Sequence, residues 1–151
     1  MRCVSIERKT EPMGRFTVEL EVANYEDVVR ARWGELPLEQ VRRTLITGLV
    51  DTGATDLVLP ESVAQALGLR VLEEVTVRYA DNRQAVRPEV GDVELKLLGR
   101  RKVFTAIAEP DRSEALVGAI VLEALDLVVN CKDQKLEPRD PKTLTAAIGC
   151  R

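Results

Sequence analysis

Apolar and polar residues alternate along much of this chain in short runs, and few stretches repeat at helical spacing. Phe16-Thr17-Val18-Glu19-Leu20-Glu21-Val22 alternates strictly, as a half-buried strand does. Asn24 to Asp27 reads as the turn after it. Val28 to Arg32 reads as a second short strand closed by Trp33-Gly34, with Trp33 as a packing anchor. Leu45-Ile46-Thr47-Gly48-Leu49-Val50 is nearly all apolar, which predicts a strand buried on both faces. Asp56-Leu57-Val58-Leu59 predicts another. Two longer alternating runs, Val71 to Tyr79 and Ala85 to Leu98, flank Ala80-Asp81-Asn82-Arg83-Gln84. Asp and Asn both tolerate positive φ, so a hairpin is expected there. Val103 to Ala108 is a further strand, and Leu127 to Asn130 pairs with Gln134 to Glu137 around Cys131-Lys132-Asp133.

Helical punctuation occurs twice. Pro60 suits a first helical turn, Glu61 complements its positive end, and Gly68 suits a left-handed stop, with Val63, Ala64 and Leu67 on one face. Ala119 to Leu125 is the second short helix. Many strands and two short helices make the class mostly β. A faint internal echo accompanies it. A strand, a Gly turn and a short helix recur at Leu49 to Leu69 and at Leu116 to Leu127. The helices end in Ala66-Leu67-Gly68-Leu69 and Ala124-Leu125-Asp126-Leu127. A duplicated β unit would leave such a trace.

Composition narrows the chemistry. The 151 residues can bury one core, and 22 Lys+Arg against 25 Asp+Glu leave a formal charge of -3. That balance and the 3% aromatic content argue against a nucleic-acid partner. The chain has no His, which removes Ser-His-Asp and Cys-His nucleophile schemes and His-ligated zinc. Cys3, Cys131 and Cys150 are scattered and read as free thiols, with no metal site and no cofactor implied. Met1 to Arg15 has no apolar run for a signal peptide, and no stretch reaches the ~20 apolar residues of a spanning helix. The expectation is a cytoplasmic protein with no membrane partner. Glu73-Glu74 reads as a solvated edge, and Gly99-Arg100-Arg101-Lys102 as a solvated basic turn.

One segment carries chemistry. In Gly48-Leu49-Val50-Asp51-Thr52-Gly53-Ala54-Thr55 an apolar strand delivers a carboxylate into a tight turn. Thr52 can bond back to the backbone, and Gly53 lets the chain bend without a side chain in the way. A carboxylate on a rigid strand end is pre-organised for proton transfer. Asp-Thr-Gly alone arises by chance in roughly 3% of chains this long, so the apolar strand before it and the small-then-hydroxyl pair after it matter more.

With those residues the chain resembles the retropepsin-like aspartic proteases, in their bacterial form. Leu49-Val50-Asp51-Thr52-Gly53-Ala54-Thr55 looks like their active-site signature. Leu57-Val58-Leu59-Pro60 with its helix, the Ala80-Asp81-Asn82-Arg83 hairpin, Leu116-Val117-Gly118 with its helix, and Leu127 to Leu136 follow in the family's order. The resemblance spans about Phe16 to Pro138. It implies an acid-protease half-barrel closed by homodimerisation. Residues 16–138 are then the protease domain, 1–15 an extension or dimer strand, and 139–151 a tail.

The resemblance also implies a mechanism. Two carboxylates share one proton and one water, one acting as base while the other, protonated, polarises the scissile carbonyl. The chain has one Asp-Thr-Gly, so a second chain must bring the second carboxylate across a two-fold axis. Asp51 is then the acid and base, Thr52 braces the two loops, and Gly53 offers backbone. Ala54, Thr55 and Asp56 border the cleft, and Tyr79, Ala80, Asp81, Asn82 and Arg83 form a flap over an extended peptide or unfolded-protein substrate. Leu116, Val117 and Gly118 support the catalytic loop from beneath. The flap departs from the retroviral pattern, since no Gly occurs from Leu69 to Val90. The termini lack clear family correspondence; Cys3-Val4-Ser5-Ile6 and Leu144 to Ile148 are both candidates for a dimer sheet. The competing expectations are a silent dimeric peptide-binding module and a plain dimerisation unit.

Overall fold

In the computed structural model, residues 2–5 and 15–139 are described. The expectations for Ile6, for Leu144 to Ile148 and the rest of the tail, and for Cys150 lie outside them. Among the described residues ten strands occur: β1 (Cys3–Ser5), β2 (Arg15–Asn24), β3 (Arg43–Asp51), β4 (Leu57–Pro60), β5 (Val71–Arg78), β6 (Gln84–Leu97), β7 (Arg100–Glu109), β8 (Ala115–Val117), β9 (Leu127–Asn130) and β10 (Lys135–Pro138). The helices are α1 (Tyr25–Arg32), α2 (Glu61–Ala66) and α3 (Ala119–Ala124), with a 3-10 turn at Leu38–Gln40. The chain is therefore mostly β with short helices, but the described residues hold three of them rather than two.

The extra helix corrects the strand expected at Val28 to Arg32. Adjacent β-branched Val28 and Val29 suggested a strand, and the helix carries no wide apolar stripe. Its ends nevertheless obey helical rules. The Asn24 side chain caps it by accepting from the Asp27 N–H at 3.1 Å, Glu26 and Asp27 sit in the first turn, and Arg30 and Arg32 in the last. Asn24 Nδ2 also donates to the Leu67 carbonyl at 2.8 Å, tying this helix start to the end of α2. Trp33, expected as a packing anchor, is 74% exposed just beyond the helix.

Eight strands form one sheet in the order β1-β5-β6-β2-β3-β8-β4-β7, and β6 also pairs with β7. That last pairing closes the ring β6-β2-β3-β8-β4-β7 within a single chain. β6 serves both sides because it is long and shifts register between Val90 and Val93, bending as bulged strands do. The main core lies inside, built from Leu20, Val22, Val50, Leu57, Leu59, Leu95, Leu97, Val117 and their neighbours. β3 was expected to be buried on both faces. Only Gly48, Val50 and Asp51 are, while Leu45 is 62% exposed. β8 pairs with β3 from Gly48 to Val50 and no further.

The internal echo has a conformational counterpart. α2 follows β4, α3 follows β8, and each helix is closed by a left-handed residue, Gly68 at φ 64° and Asp126 at φ 56°. At α2 the Leu69 N–H reaches the Ala64 carbonyl and the Gly68 N–H the Gln65 carbonyl, both at 3.0 Å. At α3 the stop is braced by Arg100, whose guanidinium donates to the carbonyls of Leu125 and Asp126. Arg100 is thus buried, which corrects the expectation of a solvated basic turn at that residue, while Gly99, Arg101 and Lys102 are exposed as expected. Glu73 and Glu74 are exposed on β5, as a solvated strand would have them.

Candidate active site

β3 carries Asp51 as its final residue, antiparallel to β2 on one side and one residue past the β8 pairing on the other. The chain then turns: the Asp51 carbonyl accepts the Ala54 N–H at 3.0 Å, and Asp51 Oδ1 accepts the Gly53 N–H at 2.9 Å. This Asx turn fixes the carboxyl plane against its own loop. The residue is 1% exposed. Arg15, its register partner on β2, brings a guanidinium nitrogen to 3.2 Å from Oδ2, but among the described residues no aligned hydrogen bond reaches that oxygen.

Leu116, Val117 and Gly118 lie directly under this loop. β8 pairs with both β3 and β4. From the start of α3, the Ala119 N–H donates to the Ala54 carbonyl and the Ile120 N–H to the Thr55 carbonyl, both at 2.9 Å. Gly118 is what permits this approach, since a Cβ there would lie 2.5 Å from the Asp56 carbonyl oxygen and 2.6 Å from Thr55 C. Two backbone segments are therefore pressed together beneath the carboxylate. Thr52 and Thr55 are exposed, Gly53 is half-buried and Ala54 is buried. The Asp56 carboxyl is pushed above its ordinary value by burial, against a smaller lowering from the Arg2 charge.

The hairpin from Tyr79 to Arg83 folds as expected, with Asn82 at φ 71°. The Tyr79 N–H donates to the Arg83 carbonyl and the Asn82 N–H to the Tyr79 carbonyl, both at 2.9 Å. Asp81 accepts from the Arg83 backbone at 3.0 Å and from its Nε at 2.7 Å, and the Arg83 guanidinium stacks 4.9 Å from the Tyr79 ring centre. Ala80 to Arg83 are exposed. Arg83 in turn holds the Asp81 carboxyl below its ordinary value.

A network invisible in the sequence pins this hairpin. The Tyr79 hydroxyl lies 2.8 Å from both carboxylate oxygens of buried Glu109, at the end of β7. Arg87 Nε reaches the same hydroxyl at 3.1 Å and Glu109 Oε1 at 3.2 Å. Burial and Glu109 push the Tyr79 phenol up, so it stays a hydrogen-bond donor. Below it, Val75 and Val77 of β5 form a second apolar cluster with Ala54, Val58, Ile107, Leu116 and Val4, and with Leu49 and Tyr79 at its margin. The structure thus brings Asp51's loop, its support and the inner face of the hairpin to one place. Arg15, Arg87 and Glu109 were missed, and Val4, named with Cys3 and Ser5 as a candidate for a dimer sheet, pairs with β5 of its own chain instead. Nothing local to them marks a site; they converge from distant parts of the chain.

The model of a family described as gag-polyprotein putative aspartyl protease matches residues 40–124, more than half of the chain. The chain belongs to that family. Within this aspartyl protease family's matched span lie the Asp51 loop, the hairpin and the Leu116-Val117-Gly118 support. Among solved structures, the chain is similar to the simian foamy virus (mac) protease in solution, at 15% identity over 73% of this chain and 94% of that one, with a TM-score of 0.48. It is also similar to a retropepsin-like aspartic protease from Rickettsia conorii, at 17% identity over 77% and 86% of the two chains, with a TM-score of 0.42. No curated protein matches the chain significantly. Among the described residues, no cluster of His, Cys, Asp and Glu could hold a metal ion, and no helix is long and apolar enough to cross a membrane.

Proposed function

We propose that this aspartyl protease family member is an endopeptidase, active as a homodimer, in which two Asp51 carboxyls activate one water against a peptide bond. One observation carries the reading. A carboxylate 1% exposed, fixed at Oδ1 by the Gly53 N–H, has at Oδ2 no aligned hydrogen bond from the described residues. A structural carboxylate in that position would be saturated, because an unsatisfied buried acceptor is costly. Here, among the described residues, Oδ2 is met by the Arg15 guanidinium at 3.2 Å, an ion-pair partner that a second Asp51 and a water would displace.

The steps follow from acid–base balance. One Asp51 takes a proton from the water as its oxygen attacks the carbonyl carbon. The other, protonated, donates to the carbonyl oxygen to give a diol; the first then passes its proton to the amide nitrogen while the second takes one back from a diol hydroxyl, and the C–N bond breaks to leave a carboxylic acid and an amine. Two like charges side by side disfavour double ionisation, so the pair keeps one proton between them. Each chain has one such carboxylate, so the second comes from a second copy. For the two to meet, the Arg15 guanidinium rotates off Oδ2. Exposed Thr52 is positioned to brace the partner loop, and the Tyr79 to Arg83 hairpin covers the substrate, with Ala54, Thr55 and Asp56 along its length. Exposed thiols at Cys3 and Cys131 suit a reducing, cytoplasmic compartment.

A silent peptide-binding module is the second reading. The Arg15 ion pair favours it, because it occupies the side of Asp51 that a water needs. Cleavage of a mixed peptide library by wild type and Asp51→Asn, from acid to neutral pH, separates the two. Asp51-dependent cleavage that falls on dilution with the dimer fraction is expected. Equal silence of both proteins at every pH rejects the peptidase.

A further inference from the structure

β1 has an odd place in the fold. It is three residues long, runs parallel to β5, and caps the end of the sheet on the inner strand of the hairpin. Cys3 pairs with Thr76, Val4 with Val77 and Ser5 with Arg78, and the Thr76 N–H donates to the Arg2 carbonyl at 2.8 Å. Its side chains alternate: Cys3 and Ser5 are exposed, while Val4 is 4% exposed within the cluster that holds Ala54 and Leu116 from the catalytic floor and Val75 and Val77 from the hairpin. Arg2 forms an ion pair with buried Glu89 of β6, and its charge acts on Asp56, five residues after Asp51.

That is the arrangement an extended peptide needs. It would add to the free edge of β5, send alternate side chains down into the cluster, and run between the hairpin and the loop that ends at Ala54. β1 already holds that edge. We propose that β1 occupies the substrate groove of its own chain, so that Val4 fills the subsite for a β-branched aliphatic side chain and Arg2 the one for a basic side chain two residues earlier. The proposal rests on the groove being a peptide site, as in the peptidase reading, and adds both a preference and a regulation. A peptide reading basic–x–aliphatic competes with β1, and β1 must lift before substrate enters. Pairing over three residues, one buried valine and one half-exposed cation hold it, a grip that a longer peptide with more pairing can displace.

The test uses full-length chains carrying Asp51→Asn, so that cleavage does not enter. The probe is a fluorescent peptide of this chain's residues 1–6 with Cys3→Ser, and its binding is followed by anisotropy. Adding Val4→Asp to the protein is expected to tighten binding about tenfold, by removing the internal competitor. Adding Arg2→Ala is expected to tighten it about twofold. The same Val4→Asp change made in the peptide instead is expected to abolish binding. In parallel, the Thr76 amide should lose exchange protection in the Val4→Asp protein and regain it when the peptide is added. Unchanged or weaker binding by a Val4→Asp protein that still melts cooperatively overturns the proposal. If that protein does not melt cooperatively, unchanged binding by Arg2→Ala overturns it. Library cleavage by Asp51-bearing chains separates the two readings. Tighter binding with no Asp51-dependent cleavage keeps the groove occupancy and rejects the peptidase. Asp51-dependent cleavage with binding and rate indifferent to Val4→Asp does the reverse.

Discussion

Two buried aspartates flank the β2–β3 pair, Asp27 in α1 and Asp51 at the end of β3, and each faces an arginine. At the far end, Asp27 is 3% exposed and fully engaged by Arg42, through Nε at 2.8 Å, Nη2 at 3.0 Å and the backbone N–H at 3.0 Å. At the near end, Asp51 is 1% exposed, bonded to its own loop at Oδ1 and only approached by Arg15 at Oδ2. The same residue types beside the two ends of one strand pair have different degrees of engagement. Full engagement locks the α1 insertion onto β3. Incomplete engagement leaves a pre-organised carboxylate with capacity for a further partner, which costs stability and is the usual signature of a working site.

Replacing each aspartate breaks that comparison most directly. Asp51→Asn is expected to cut peptide cleavage by about 10³-fold or more, with little change in urea midpoint, because one loop hydrogen bond survives. A destabilisation as large as that of Asp27→Asn would mean that Asp51 is structural. Gly118→Ala should come next, at about 2–3 kcal/mol by urea denaturation, since its Cβ meets backbone rather than a yielding side chain. If it is neutral, the loop is less tightly underpinned than the contacts indicate. Asp27→Asn is expected to cost about 2 kcal/mol while sparing any activity per folded dimer, through weakened charge-assisted bonds to Arg42.

Smaller effects appear as pH dependence, with opposite signs in the two regions. Arg42 lowers the Asp27 carboxyl, so its stabilising contribution is whole above the unfolded carboxylate value near 4 and is lost as pH falls through the lower folded value. Burial raises Asp56, so its contribution runs the other way. The folded state holds the proton longer, and stability declines as pH rises from about 4 to the raised folded value. Melting curves across acid pH should therefore flatten at the low end in Asp27→Asn. In Asp56→Asn they should lose the decline above it. A profile unaltered by either substitution removes the distinction. Smallest of all, Tyr79→Phe should cost about 1 kcal/mol and raise amide exchange in the hairpin, because Glu109 keeps Arg87 when the hydroxyl goes.

Much of the architecture was legible because its signals are local. Strict alternation gave β2 and looser alternation β5 and β6; Pro60 and Gly68 gave α2; Asp81-Asn82 gave the hairpin. A single short pattern around Asp51 gave the candidate site. The helix α1 was legible too, through Asn24 and Asp27 at capping spacing, but the β-branched pair Val28-Val29 masked it. The burial of Arg100 was not, since its role depends on α3 ending beside it, 25 residues on.

What the sequence alone determined was the strand-borne carboxylate in a tight turn, one per chain, on a mostly β scaffold. Those features follow from backbone preferences and side-chain periodicity over a few residues. Tertiary structure decided how satisfied each carboxylate is, which residues brace the hairpin and what lies against its inner edge. Those depend on partners such as Arg15, Glu109 and Val4, brought in from tens of residues away. Short-range pattern fixes where a group sits along the chain, but its electrostatic surroundings exist only once the sheet has closed around it.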